Sequence, residues 1–464
     1  MTTPSPSSSL LAPSMGSDAI PDRDKIRAIP WSIASSTLNI VFCSWTFGGS
    51  VFLLFLDRLN LPKGQIGWLL SLFPFTQVLG LWVAPWVAAV GQKRIFLTFF
   101  GARKLVIAGL LLVPPILATY GRSVAVPYVY AIVLTFALCR AMAETAYYPW
   151  FQEFVPDRVR GVYSAATNII PPIMAAGALI VASRVLDWTT GLSGFMGLIG
   201  AGSVIGFVGA MLMIKVPGGR PRPRDLRPGG HVAGMREALG NPNFRAYLAA
   251  FGLITIGLGV TASFLPLFFK ERMGLPSGQV VMMDVATMAG AVLSSYPWGW
   301  IADRFGSRPV LMPSLTVACA LPLLLFLLPH LHAVGTPLIA VLCMVNGMAM
   351  AGFGISASRL LFNSVIPHER SMPYTALYYA WMGLPAGLAP LLAGRLLSLG
   401  AAPAPGGCSG FLDGYSLVFM LGLTCVTVGT LGFRRVRPDS SVLTRHLIRR
   451  VTVAAWDRLD PTRP

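Results

Sequence analysis

Twelve long apolar stretches constrain the fold of this chain more than any other feature. A helix needs about 20 mostly apolar residues to cross the hydrocarbon core of a bilayer, and these stretches reach or approach that length. The chain is 54% hydrophobic and only 12% charged, a charged fraction about half that of a soluble domain. We therefore predict an all-α polytopic membrane protein. The stretches lie near residues 31–56, 64–90, 104–121, 127–149, 161–184, 192–214, 246–269, 278–301, 309–329, 337–361, 374–396 and 415–433.

The stretches form two sets of six, separated by a segment rich in Pro, Gly and Arg. The first residues are rich in Ser and Pro and lack the layout of a secretory signal. Both observations divide the chain into five regions. These are a disordered tail (1–30), an N-terminal six-helix bundle (31–215), a solvated linker (216–244), a C-terminal six-helix bundle (245–433) and a basic tail (434–464).

The net charge of +18 is distributed as expected for a membrane protein. With the N-terminus placed inside, 27 of the 36 Lys and Arg residues fall on the cytoplasmic side and seven on the other side. This bias sets the orientation of membrane helices, so we predict two cytoplasmic termini. The composition, heavy in Arg, Ala and Pro, favours a bacterial inner (plasma) membrane. The lipid bilayer is then the expected partner of the basic charge, and we do not expect the protein to bind nucleic acid.

The two sets of stretches repeat one another. Residues 55–66 (FLDRLNLPKGQI) match residues 269–280 (FKERMGLPSGQV), and Tyr163-Ser164-Ala165 matches Tyr374-Thr375-Ala376 in the same order. Parallel repeats of this kind relate two bundles by a pseudo-twofold axis along the membrane normal, with the binding site between them. The predicted fold is therefore two pseudo-symmetric six-helix bundles with twelve transmembrane helices.

A charged turn joins the eighth and ninth stretches. Its pattern is Gly299-x-x-x-Asp303-Arg304-x-Gly306-x-Arg308, and it resembles the cytoplasmic loop between helices 8 and 9 of the major facilitator superfamily of transporters. The resemblance covers nearly the whole chain, from about residue 31 to residue 433. It implies alternating access around a central site that takes a small-molecule substrate, with no cofactor and no resident metal.

The resemblance also implies a gating role for this loop. In the family, the loop acid stabilises the state that is closed to the cytoplasm, and we assign this role to Asp303, with Arg359 or Arg370 as candidate partners. A carboxylate near a helix N-terminus and an arginine is stabilised by both. The corresponding loop of the first half has Ala89 instead of the acid and keeps only the basic end, at Arg94.

Three ionisable residues lie deep inside the predicted spans: Arg140, Glu144 and Asp284. Ionisable groups inside a bilayer are expensive, so each is a candidate for function. Arg140 and Glu144 are four residues apart on one helix and face the same way. We predict that they couple substrate binding to a proton, although the same pair also fits a permanent ion pair that fixes helix packing. Asp284 either faces an outer vestibule, binds substrate or a cation, or pairs with a neighbouring span.

Neutral polar and aromatic residues in the expected cavity helices are further candidates for substrate contact. For each of them taken alone, packing or hydrogen bonding between helices is the favoured role. Together they suit a sugar or an organic-acid-like solute. The candidates are Asn39, Gln77, Asn346, Tyr378 and Trp381, with Trp45, Asn168, Thr255 and Tyr379 as weaker ones.

Other functional classes fit the sequence less well. The five histidines are scattered in loops and tails, and the six cysteines include no Cys-x-x-Cys pair, which argues against an enzyme, a zinc site or a disulfide framework. A channel does not require two gated halves. We expect a monomeric, proton-coupled uptake symporter. The alternative is a proton-driven efflux transporter of drugs, metabolites or lipid-like molecules, although the Gly-Pro-x-x-Gly-Gly pattern of the family's antiporters is absent from the fifth stretch (Asn168–Gly177).

Overall fold

A computed structural model describes residues 21–221, 228–327, 335–367, 371–400 and 413–439. Within these ranges the regular structure is entirely helical, and the helices make up twelve spans, one of which is a bent pair. In order, the helices of spans 1 to 12 are Asp22–Thr46 with Gly49–Arg58, Lys63–Gln77 with Gly80–Val90, Gln92–Ala108 with Val113–Tyr120, Arg122–Phe154, Arg160–Trp188, Ser193–Leu212, Pro242–Ser263 with Leu265–Glu271, Ser277–Phe305, Arg308–Leu327, Thr336–Leu360, Ser371–Leu399 and Gly414–Phe433.

Two of the breaks within spans have clear local causes. Span 1 is interrupted at Phe47 and Gly48, and Gly49 follows with a φ of +58°, a conformation that glycine adopts without steric strain. The two helices of span 2 meet at an angle of 52°. Each of these helices contains a proline, Pro74 or Pro85, whose ring removes a backbone hydrogen bond.

The two ends of the bundle are distinguished by contacts between loops. We call the end that carries both described termini the basal end; there Asp22 lies near Arg158, and Ser307 contacts Asp439. At the opposite end, called the distal end, Asp57 pairs with Lys270.

The hydrophobic core differs between these ends. One large cluster spans both halves toward the distal end, from Phe42 in span 1 to Phe419 in span 12. Toward the basal end there are two separate clusters, one containing only first-half residues from Ala28 to Val216 and one containing only residues 238–436. Apolar burial therefore joins the halves distally and leaves them independent basally, so this conformation is closed at the distal end.

Small residues allow the halves to approach closely along spans 2 and 11. A Cβ atom at Gly67 would lie 2.4 Å from the Pro390 carbonyl oxygen and 3.2 Å from the Gly394 Cα. Near the distal tip, the Gly64 amide donates to the Ser398 hydroxyl at 3.0 Å. In lipid, the hydrophobic effect does not drive helices together, and close backbone packing through glycine is a common way for them to associate.

Two reciprocal ion pairs cross the distal seam. Asp57 Oδ2 lies 2.6 Å from Lys270 Nζ, and Glu271 Oε2 lies 2.5 Å from Lys63 Nζ. Asp57 and Glu271 occupy equivalent positions of the internal repeat, so each half presents its acid to a lysine of the other half. Tyr415 also donates to Glu271, at 2.8 Å.

The structure corrects three boundaries drawn from the sequence. The first helix begins at Asp22, so residues 22–30 are helical; Asp22 and Asp24 in its first turn favour the positive end of the helix dipole. The linker contains a helix, Pro228–Gly240, whose Ala238 is buried in the second-half core. The third span begins at residue 92 instead of 104. Its early part was missed because basic residues interrupt the apolar run.

Candidate substrate and coupling site

Three of the predicted residues meet at the middle of the first half. Arg140 Nε donates to Glu144 Oε1 at 2.6 Å, and Gln77 Nε2 donates to Glu144 Oε2 at 3.0 Å. Arg140 and Glu144 are one turn apart on the long helix of span 4, while Gln77 ends the first helix of span 2. Both carboxylate oxygens of Glu144 thus have donors, one of them charged. The Arg140 and Glu144 side chains are 24% and 37% exposed, so this group is only partly buried.

Two tyrosines lie next to this group and bridge the seam. Tyr148 is one turn beyond Glu144 on span 4, and its ring stacks on Tyr379 of span 11 with centroids 6.1 Å apart. Both tyrosine side chains are at least half exposed. Tyr148 was not predicted. Its i+4 spacing from Glu144 places it on the same helix face, which is the signal that would have identified it.

A second polar group was missed entirely. Arg103 and Lys104 are counted with the cytoplasmic loop in the sequence, but the structure buries both inside span 3, where they are 4% and 0% exposed. Their shared acceptor is Asn39 of span 1, whose Oδ1 lies 2.8 Å from Arg103 Nη2 and 2.5 Å from Lys104 Nζ. The available signal was the apolar run at residues 95–100, which extends the span on the basal side of these cations.

Aromatic rings surround the buried cations. The Lys104 ammonium lies 3.5 Å from the centroid of Phe42 and 4.4 Å from that of Phe100, and the Arg103 guanidinium is also 4.4 Å from Phe100. The Arg103 charge is close enough to Arg140 and Glu144 to interact with both. The cluster therefore contains three cations and one carboxylate, so it is net positive.

Asp284 lies apart from this cluster, at the junction of the halves toward the distal end. Its Oδ2 accepts a hydrogen bond of 3.0 Å from the Ser50 amide, in the first turn of the second helix of span 1. A carboxylate at this position is stabilised by the free amides and the dipole of that helix. Of the alternatives considered from the sequence, the observed contact is pairing with a neighbouring span; a role in coupling stays a prediction.

Three of the remaining candidates, Trp381, Trp45 and Tyr378, make packing contacts between helices. Trp381 Nε1 donates to the Leu248 carbonyl at 3.0 Å, and Trp45 Nε1 makes the equivalent bond to Ala178 at 2.7 Å. Tyr378 is 6% exposed and packs on the rings of Tyr247 and Phe251. Asn346 is half-buried on span 10. The structure therefore groups Arg140, Glu144, Gln77 and Asn39 near one another and leaves Asn346, Tyr378, Trp381 and Asp284 elsewhere.

The predicted gating loop makes its charged contacts with other residues of the second half. Arg359 Nη1 contacts Asp303 Oδ1, and its Nε lies 3.5 Å from Asp439 Oδ2. Asp439 is almost fully buried and accepts hydrogen bonds from the Ser307 amide and hydroxyl, at 3.0 and 2.6 Å.

The structure also shows the contacts or the conformation of the basic and glycine residues of the loop. Arg308 donates to the Val436 carbonyl at 2.7 Å, Arg304 lies over the Trp300 ring, and Gly306 has a φ of +90°. Gly299 lies one helical turn before Asp303 on span 8. Arg370, the other candidate partner of Asp303, lies outside the described residues.

Comparisons with known proteins indicate which family this chain resembles. The family model described as Major Facilitator Superfamily matches residues 256–456. The chain is 27% identical over 385 residues to the "Gentisate transporter" of Corynebacterium glutamicum, covering 79% of this chain and 74% of that protein. The chain therefore resembles the major facilitator superfamily, through the family model over its second half and through this relative over most of its length.

Solved structures agree on the fold. The crystal structure of the nucleoside transporter NupG superposes with a TM-score of 0.64 at 15% identity, covering 89% of this chain and 98% of that one. A bacterial homologue of the iron transporter ferroportin in its inward-facing state gives a TM-score of 0.63 at 13% identity over 89% and 98% of the two chains. The chain therefore has the fold of multi-pass membrane transporters.

Proposed function

We propose that this protein is a proton-coupled symporter that takes up a small organic acid. The observation that carries the proposal is the midspan cluster in which Arg140 holds the one carboxylate, Glu144, while two further cations lie close by. A net-positive site attracts an anion more than it attracts a neutral sugar. Protons and a small-molecule acid are then the two ligands.

The coupling step follows from competition for one guanidinium. Glu144 accepts hydrogen bonds from Arg140 and Gln77. A substrate carboxylate that binds Arg140 removes the charged donor from Glu144. The freed carboxylate is then the group that takes up the proton that moves with the substrate. Substrate and proton occupy the site together, and each favours the binding of the other.

A relative supports the class of substrate. The curated relative is described as a transporter of gentisate, which is an aromatic carboxylate. Tyr148 and Tyr379 place two exposed rings one turn from Arg140 and Glu144. Rings beside a cation suit a solute that carries an aromatic group and a carboxylate.

The orientation completes the proposal. Basic residues concentrate at the basal end, so this end faces the cytoplasm in a bacterial inner membrane, with both termini inside. The closed distal end then faces outward, and the described conformation is the one open to the cytoplasm. Asp303 and Arg359 are already in contact within the second half in this conformation, so this pair alone does not close the cytoplasmic side.

An uptake assay with the purified protein in proteoliposomes tests the proposal. The external pH is lower than the internal pH, so that a proton gradient points inward. We expect labelled gentisate to accumulate above the level in protein-free vesicles, and Glu144→Gln to abolish accumulation while sparing exchange of internal for external substrate. Asp22→Asn, a charge loss at the exposed basal surface, serves as the matched control. Accumulation by Glu144→Gln at the wild-type level would refute the coupling role. Proton-driven export with no uptake would instead support the efflux alternative.

A further inference from the structure

The buried pair Arg103 and Lys104 has no acceptor to match its charge. The two cations are adjacent in sequence, are nine-tenths or more buried, and share a single neutral oxygen, Asn39 Oδ1. Arg103 Nε is fully buried and has no hydrogen-bond partner among the described residues. An arginine has five N–H donors and a lysine has three, which is more than one amide oxygen can accept.

Burying two adjacent cations without an anionic partner is strongly unfavourable. Two like charges taken out of water repel each other, and a neutral amide oxygen returns only part of the lost hydration. The rings of Phe42 and Phe100 contribute cation–π attraction, which is smaller than the interaction with an anion. Among the described residues, no Asp or Glu lies within ion-pair distance of either cation. The charge that would balance them has to come from elsewhere.

We propose that Arg103, Lys104 and Asn39 form a carboxylate-binding subsite that receives the anionic group of the transported acid. The inference rests on the proposed function, because it names the part of that site which selects the charge of the substrate. Arg140 is the partly exposed contact that the carboxylate meets first. Arg103 is close enough to interact with Arg140 and Glu144, so the deeper pair draws the same anion inward.

The residue types suit a carboxylate. The planar guanidinium of Arg103 matches two carboxylate oxygens with parallel donors, and Lys104 adds a point charge beside it. An arriving carboxylate takes over from Asn39 as the acceptor for both cations. The aromatic walls keep the subsite dry, which strengthens each charged hydrogen bond.

Thermal stability of the purified protein in detergent micelles tests the subsite without a transport measurement. The probes are sodium benzoate, its neutral isostere benzamide, and sodium chloride at matched ionic strength. We expect benzoate to raise the Tm of the wild type and the other two solutes to leave it unchanged. Removal of the charged hydrogen bonds in Lys104→Met should weaken benzoate binding roughly tenfold to a hundredfold. Lys93→Met, on the same helix near the basal surface, should bind benzoate like the wild type.

A second variant keeps the test valid if Lys104→Met fails to fold. Asn39→Asp changes one atom and places a permanent carboxylate between the two cations. It should raise the Tm in the absence of added acid and abolish the stabilisation by benzoate. A merely structural role for the cations would leave the response to benzoate intact.

The result that would overturn the subsite is equal stabilisation of the wild type by benzoate and by benzamide or chloride. Benzoate binding of wild-type strength by Lys104→Met or by Asn39→Asp would also overturn it. Failure of the proposed function is distinguishable. If vesicles show no proton-driven uptake but benzoate binding is lost in both variants, the subsite stands and the coupling fails.

Discussion

Removal of the two reciprocal ion pairs at the distal end should open that end. Asp57–Lys270 and Lys63–Glu271 are the charged contacts that cross the seam there, at 2.6 and 2.5 Å. The four side chains are between 24% and 34% exposed, so solvent screens each pair in part. We assign each pair about 1 kcal/mol. Loss of both then lowers the stability of the distally closed state by about 2 kcal/mol, a roughly thirtyfold change in the ratio of closed to open molecules.

The assay is a distance measurement between the halves at the distal end. Spin labels at Thr190 of the first half and Leu399 of the second half, both exposed, report the separation by double electron–electron resonance. The double variant Asp57→Asn, Glu271→Gln should shift the distance distribution toward longer separations. Arg272→Gln is the matched control, because its ion pair with Asp413 lies within the second half at the same end.

Two outcomes would refute this reasoning. The first is an unchanged distance distribution in the double variant, which would mean that apolar packing alone holds the distal end closed. The second is an equal shift in Arg272→Gln, which would mean that any charge loss at this end acts in the same way. A charge swap, Asp57→Lys with Lys270→Asp, should restore the short distance if the pair itself acts.

Three further results are expected. Gly67→Val should disfavour the distally closed state, because its Cβ would clash with the Pro390 carbonyl, and the same spin labels would report a longer distance. Asp439→Asn should lower the Tm measurably, with a loss of about 1–3 kcal/mol, since this buried carboxylate accepts two hydrogen bonds from Ser307; an unchanged Tm would contradict this. Asp284→Leu should also favour distal opening, because the Ser50 amide loses its acceptor, and an unaltered distance distribution would count against that role.

The fold was predictable because its determinants are local. The length of each apolar stretch sets the number of spans, and the match between residues 55–66 and 269–280 sets the repeat. The predicted span boundaries were wrong where charged residues lie inside a span. Arg103 and Lys104 stand at the edge of the third apolar stretch and were counted with the cytoplasmic loop, and only the packing of span 3 on span 1 shows that they are buried.

The candidate site was predictable only within one helix. The spacing of Arg140 and Glu144 on span 4 was sufficient to predict their contact, and the structure confirms it. Contacts between helices could not be read in the same way. Arg103 meets Asn39 from 64 positions away, and Gln77 meets Glu144 from 67, so each depends on which spans are neighbours. The functional roles of all these residues stay predictions.

Proton movement that accompanies substrate uptake tests the coupling mechanism most directly. Vesicles that contain a pH-sensitive dye are given external gentisate with no imposed gradient, and protein-free vesicles provide the background rate. Wild-type vesicles should acidify inside as gentisate enters, and Glu144→Gln vesicles should not acidify above background while they still exchange substrate. Acidification by Glu144→Gln at the wild-type rate would contradict the role of this carboxylate as the proton carrier.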